Sequence, residues 1–175
     1  MSDCWDLMRQ ERRCFILGLL LPLLAAASGM ADELRPPPRD GLQERSATRA
    51  EALLERAVAH IGAVGRDRAF EEFSQPGGPF VDGAIYVFCN RADGTVLANG
   101  GNPRLVGQRP VALRQPAGDS PVERMFRAAR PDGRGWATYR WPNPATLSVQ
   151  RKESYIIALD TAVICGAGYY LDSPP

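Results

Sequence analysis

The amino-acid sequence predicts an α+β domain, with five antiparallel strands and the helices clustered toward the N-terminal side. Three observations point there. Residues 42–61 repeat their apolar positions with the period of an α-helix. Residues 84–99 read as two β-rich runs joined by Asp93 and Gly94, a hairpin turn pair. Three more β-rich runs close the chain after one short, well-capped helix.

The first 31 residues read as an export signal. Arg9, Arg12 and Arg13 precede an apolar run over residues 15–27, and Gly29 and Ala31 are small residues spaced for cleavage before Asp32. The run is shorter than the roughly 20 residues a bilayer span requires, and Pro22 interrupts it. A cleaved signal is therefore preferred over a retained anchor, and the mature protein is expected to be periplasmic or secreted. No small-residue lipobox precedes Cys14, so a lipid anchor is not expected. Residues 32–41 form a polar, proline-rich tether, and residues 42–172 a single domain.

Ala50, Leu53, Leu54, Ala57, Val58 and Ile61 share one face of the first helix, and Gly62 is its expected stop. A short second helix over residues 67–73 carries Phe70 and Phe73 and is broken by Pro76, Gly77, Gly78 and Pro79. Strands are expected over 84–90 and 95–99, then a loop over 100–110. Ser120 opens the third helix: its hydroxyl can cap the first turn, Pro121 suits the first helical position, and Glu123 completes a capping box. Val122, Met125, Phe126 and Ala129 form that helix's buried face. Strands over 135–141, 151–159 and 162–170 follow, the last two joined by a tight turn at Asp160 and Thr161. Residues 84–88 and 155–159 are apolar on both faces, so the sheet is expected to be covered on both sides. The first helix covers one side and residues 100–135 the other, with a ligand pocket between that second cover and the sheet.

Composition bounds the chemistry. The 175 residues are 45% apolar and 23% charged, the makeup of one folded domain. A net charge of +1 with scattered arginines gives no basis for nucleic-acid binding, and no internal repeat is visible. Export leaves Cys89 and Cys165 as a pair in an oxidising compartment, each inside a predicted strand. The readings are a disulfide and two buried thiols, and we expect the disulfide. One histidine, His60, and no Cys-x-x-Cys give no zinc site. No nucleophile elbow or phosphate-binding glycine loop is present, so neither an enzyme nor a cofactor is expected. Of 21 Lys and Arg residues only Lys152 is a lysine, a compact point charge among aromatic strands. Its plain reading is a surviving lysine at a strand end; its functional reading is an anchor for a small anion.

Longer motifs then align in order. FVDGAIYVFCNRADGTVLANGGNPRLVG, GWATYRWPNPAT, KESYIIAL and VICGAGYY together resemble the single Cache domain, type 2. The resemblance covers roughly residues 48–171. It implies a PAS-like five-stranded sheet with a long N-terminal helix, and an extracytoplasmic sensor that binds a small organic molecule, often a short carboxylate. Carried over by position, the pocket residues are Tyr86, Trp136, Tyr139, Trp141, Lys152 and Tyr155. Lys152 would pair with a ligand carboxylate, Tyr139 or Tyr155 would donate a hydroxyl proton, and Trp141 would bound an apolar tail. Lys152 and Tyr155 point to opposite faces of a regular strand, so either a bulge intervenes or only one lines the pocket. Departures from the family include Asn99, where a histidine is common, and the partial loop pattern over residues 113–119. With no output module read after Tyr170, the expectation is a separate membrane partner, a sensor kinase or chemoreceptor, if the protein signals, and otherwise a scavenger or binding protein. A homodimer through the first helix is a further expectation. The alternatives are an exported structural or interaction protein with a closed pocket and, less favoured, a small periplasmic enzyme.

Overall fold

The computed structural model describes residues 39–110, 118–130 and 132–171. The export signal over 1–31, most of the tether, and residues 113–117 of the divergent loop lie outside the described residues. Helix α1 spans Gly41–Val64, α2 Arg66–Phe73 and α3 Pro121–Ala129. The strands are β1 Val81–Asp82, β2 Ile85–Arg91, β3 Val96–Asn99, β4 Arg134–Pro142, β5 Val149–Ala158 and β6 Val163–Tyr170.

The Asp40 carboxylate caps α1, accepting from the Leu42 and Gln43 amides. That satisfies two of the donors a helix start leaves free. Gly62 does not stop the helix as expected. The chain stays helical to Val64 and turns at Gly65, whose φ of 83° is the left-handed region that glycine tolerates. The Ser120 capping box forms as expected, with Pro121 in the first turn.

Among the described residues the strands build a six-stranded antiparallel sheet in the order β1-β2-β6-β5-β4. Strand β3 also pairs with β2, next to the unanticipated two-residue β1 on the same edge. The sheet is therefore five positions wide, and every residue of the central β6 is buried. Both faces are covered. On one, Leu53, Leu54 and Ala57 of α1 and Phe73 of α2 pack against Ile85, Val87, Cys165 and Ala167. On the other, Met125 and Ala129 of α3 pack with Tyr86, Phe88, Tyr139, Trp141, Ile156 and Tyr170. Val122 is buried too, while Phe126 is only partly buried.

Cys89 and Cys165 face each other across β2 and β6 and form a disulfide, with Cα atoms 4.1 Å apart. The bridge spans 76 residues of sequence. Its loss removes a large restriction on the unfolded chain. Urea unfolding of the reduced protein should show a stability loss of about 2–4 kcal/mol relative to the oxidised form. An unchanged midpoint would mean that the bridge adds nothing to the packed strands.

Candidate functional site

Strand register lays out the site in rows on the α3 side of the sheet. One row is Tyr139, Lys152 and Tyr170, on β4, β5 and β6. The next is Ala137, Ser154, Gly168 and Tyr86, and the third is Gly135, Ile156, Gly166, Phe88 and Asn99. The two β6 glycines leave a trough in the middle of this face. A Cβ at Gly168 would lie 2.1 Å from Ser154 Oγ, and one at Gly166 2.5 Å from the Phe88 ring. Lys152 reaches across this trough. Its Nζ sits 3.5 Å from the centroid of the Tyr86 ring, with the Phe88 and Tyr170 rings at 5.1 and 5.2 Å. Behind Tyr86 the chain passes so closely that a Cβ at Gly101 would lie 2.4 Å from its ring.

Lys152 is 0% exposed, and its Nζ has no hydrogen-bond partner among the described residues. Burial pushes its pKa well below the usual lysine value. The surrounding hydroxyls are already engaged. Tyr86 and Tyr170 share a 3.0 Å bond between their hydroxyls, and Tyr170 donates to the Pro142 carbonyl at 2.7 Å. Tyr139 and Ser154 share a 2.8 Å bond. Burial raises the Tyr86 pKa to about 12 and holds the Tyr139 and Tyr170 phenols well above the ordinary range. All three tyrosines are therefore neutral at ordinary pH. Beside Nζ lies a cavity of about 10 Å³, lined by Phe88, Asn90, Asn99, Met125, Tyr139, Trp141 and Lys152. It has room for about one water, and no carboxylate among the described residues lines it.

Four of the expected site residues, Tyr86, Tyr139, Trp141 and Lys152, come together on this face. Trp136 and Tyr155 do not. They pair across β4 and β5 on the opposite face, with ring centroids 5.4 Å apart. The reason is strand parity: β5 pairs regularly through Lys152 and Tyr155 without a bulge, so side chains three apart take opposite faces. The same pleat separates Trp136 from Tyr139 and Trp141. On that far side the Arg39 guanidinium lies 4.0 Å over the Trp136 ring and pairs with the buried Glu153 at 3.1 Å. Tyr169 donates its hydroxyl to the same carboxylate. Burial opposes the charge on Arg39, but the hydrogen bond and charge of Glu153 outweigh it and raise the Arg39 pKa. Sequence reasoning left four cavity residues, Phe88, Asn90, Asn99 and Met125, out of the expected site. Their signal was parity with Tyr86 along β2 for Phe88 and Asn90, the hairpin partner strand for Asn99, and the buried face of α3 for Met125.

An antiparallel sheet clad by helices on both faces, with a buried amine at a closed cavity on one side, defines a PAS-like α+β domain. A Cache domain profile matches residues 77–173, more than half of the sequence, and the chain belongs to that family. The methyl-accepting chemotaxis protein McpP of Pseudomonas putida is 32% identical over 88 residues, which is 50% of this chain and 16% of that protein. The chain thus spans about one-sixth of the length of that relative. A periplasmic sensor domain of a chemotaxis protein superposes with a TM-score of 0.58 at 25% identity, covering 77% of this chain and all (100%) of that one. A methyl-accepting chemotaxis protein from Vibrio parahaemolyticus gives 0.59 at 18% identity, covering 75% of this chain and 92% of that one. A Cache chemosensory domain described for carboxylic acid recognition gives 0.54 at 20% identity, with 84% and 97% covered. These last two similarities establish the fold alone.

Lys152 makes the stability of the domain pH-sensitive in a definite direction. Its native pKa lies below its unfolded value, so between the two the unfolded chain binds the extra proton and stability rises with pH. Lys152→Met should be more stable than the parent near pH 7 by on the order of a few kcal/mol. Denaturant unfolding between about pH 7 and 9.5 should show that gap narrowing as pH rises, by up to about 1.4 kcal/mol per unit. A gap independent of pH would mean that the native amine keeps its proton.

Proposed function

We propose that this chain is an extracytoplasmic sensor domain of the single Cache type 2 kind that binds a short carboxylate without chemical turnover. The observation that carries this reading is Lys152: a fully buried amine with no acceptor and no acid beside it among the described residues. A buried charge is tolerated only when paired, and a ligand carboxylate would be the missing partner. Charge-assisted hydrogen bonds of that kind are among the stronger polar contacts. The chemotaxis relatives support a sensing role, and the Cache domain described for carboxylic acid recognition supports the ligand class.

In this reading Lys152 neutralises the carboxylate. Tyr86 and Phe88 shape the wall beside it, and Trp141 with Met125 bounds the ligand's apolar end. Tyr139 can donate to the ligand once Ser154 supplies the proton in their shared bond. A cavity of about 10 Å³ is smaller than any carboxylate, so binding requires the Met125 and Trp141 walls to move outward. Movement of Met125 with α3 would alter the surface offered to a separate membrane partner, a sensor kinase or chemoreceptor. The closed cavity also favours a second reading, an exported interaction protein whose pocket never opens.

Thermal unfolding of the full chain against formate, acetate, propionate, lactate and pyruvate separates the two readings. A ligand at about 100 times its Kd should add roughly 2.7 kcal/mol, a shift of several degrees. Lys152→Met should abolish that shift, while Trp136→Phe, on the other face, should keep it. No shift with any of the acids in a well-folded parent would reject carboxylate sensing in favour of the closed-pocket protein.

A further inference from the structure

Asn99 differs from every other polar group around the cavity. It stands opposite Phe88 on β3, is buried, and lines the cavity together with Lys152. Its Oδ1 accepts two backbone amides, Gly101 N–H at 3.1 Å and Asn102 N–H at 2.8 Å. Two N–H donors on one atom fix the amide orientation, because only the oxygen can accept both. The turn they close carries Gly101 against the Tyr86 ring, so the orientation is also packed in place. What remains for the cavity is the Nδ2 amide, a donor. Asn90 is not constrained in this way, its Nδ2 being directed at Met125 Sδ at 3.9 Å. Among the described residues the groups turned toward Lys152 from the packed elements are Tyr86, Phe88 and Asn90 from β2, Asn99 from β3 and Met125 from α3. Tyr139 and Trp141 of β4 and Tyr170 of β6 complete the ring. None of them is acidic.

We infer that Asn99 is the specificity-determining second contact of the site: its backbone-locked amide donates into the cavity beside Lys152, so the site can hold one anion from two sides. This rests on the carboxylate reading for the identity of the anion but not for the juxtaposition of the two side chains. It follows that an aspartate at this position would be a resident anion. Its Oδ1 would keep both backbone amides, and its second oxygen would take the ligand's place at Lys152.

The test is a double-mutant cycle on the full chain, with Asn99→Asp made in the parent and in Lys152→Met. With Lys152 present, Asn99→Asp should raise the Tm by several degrees and weaken acetate and propionate binding, measured by calorimetry, at least 100-fold. In Lys152→Met it should lower the Tm, because a buried carboxylate is left unpaired. Equal Tm changes in the two backgrounds would overturn the inference. Should Asn99→Asp fail to fold in the parent, that failure also counts against it. Asn99→Ala then gives an independent reading, since a lost hydrogen bond to a charged group should weaken acetate binding by roughly 10- to 100-fold. If the parent binds neither acid while the cycle shows coupling, the carboxylate reading fails and the placement of Asn99 against Lys152 stands.

Discussion

The pleat of β5 sends two adjacent ionisable side chains, Lys152 and Glu153, through opposite faces of one sheet, and the molecule treats them unequally. Glu153 is buried but fully answered: Arg39 supplies a fork of two N–H donors and Tyr169 a hydroxyl. Lys152 is buried as deeply and receives only ring faces. Cation–π attraction is worth about 2 kcal/mol when desolvated, against several kcal/mol to bury an ion. The rings alone therefore lose, and among these rings the neutral amine is favoured. That imbalance distinguishes the two faces. The Glu153 side is a finished core that ties the chain ahead of α1 to the sheet. The Lys152 side is a core short of one partner.

The sequence around Lys152 is arranged to keep it so. Gly166 and Gly168 on β6 hollow the face the lysine must cross, and any side chain at Gly168 would collide with Ser154. Gly101 lets the turn after β3 press on the back of Tyr86, which holds the ring beneath Nζ. The tyrosine hydroxyls are paired with one another, with Ser154 or with a carbonyl, so none turns to satisfy the amine. A domain selected for stability alone would place a leucine or methionine at position 152. Lysine there is a cost to the fold that, under the carboxylate reading, a bound anion would offset.

Much of this was legible in the sequence, and the boundary is instructive. Local chemistry read correctly: the Ser120 capping box, the Asp93–Gly94 turn, the helical stripe of α1 and two-sided burial of the strands are each dictated within a few residues. The Cys89–Cys165 bridge followed from compartment and strand placement. Gly62 was misread because a glycine inside a packed helix costs only about 1 kcal/mol, which the buried stripe outweighs. Two of the five aromatics expected at the pocket, Trp136 and Tyr155, lie on the other face for a different reason, one that strand parity already raised for Tyr155. A motif such as G-W-x-x-Y-x-W groups residues by sequence, whereas a strand sorts them by parity. Trp136 and Tyr155 thus fall with Arg39 and Tyr169. Asn99 was noticed only as a departure from family usage, because its role depends on a turn whose closure is not visible in composition.

The closed cavity and the unpaired amine are two aspects of one design. Had the pocket been open, water would solvate Nζ and the empty state would carry little penalty, so a ligand would merely exchange places with water. With about 10 Å³ available there is room for about one water, and Met125 and Trp141 line the space. A ligand can shift an equilibrium only by the difference in its affinity for the two states. Under the carboxylate reading, an anion gains nothing from the closed form, which has no space for it. From the open form it gains an ion pair. Under that same reading the undersized site would turn a small ligand's charge into a preference for one arrangement of α3 over another, which a sensor requires and a storage protein does not.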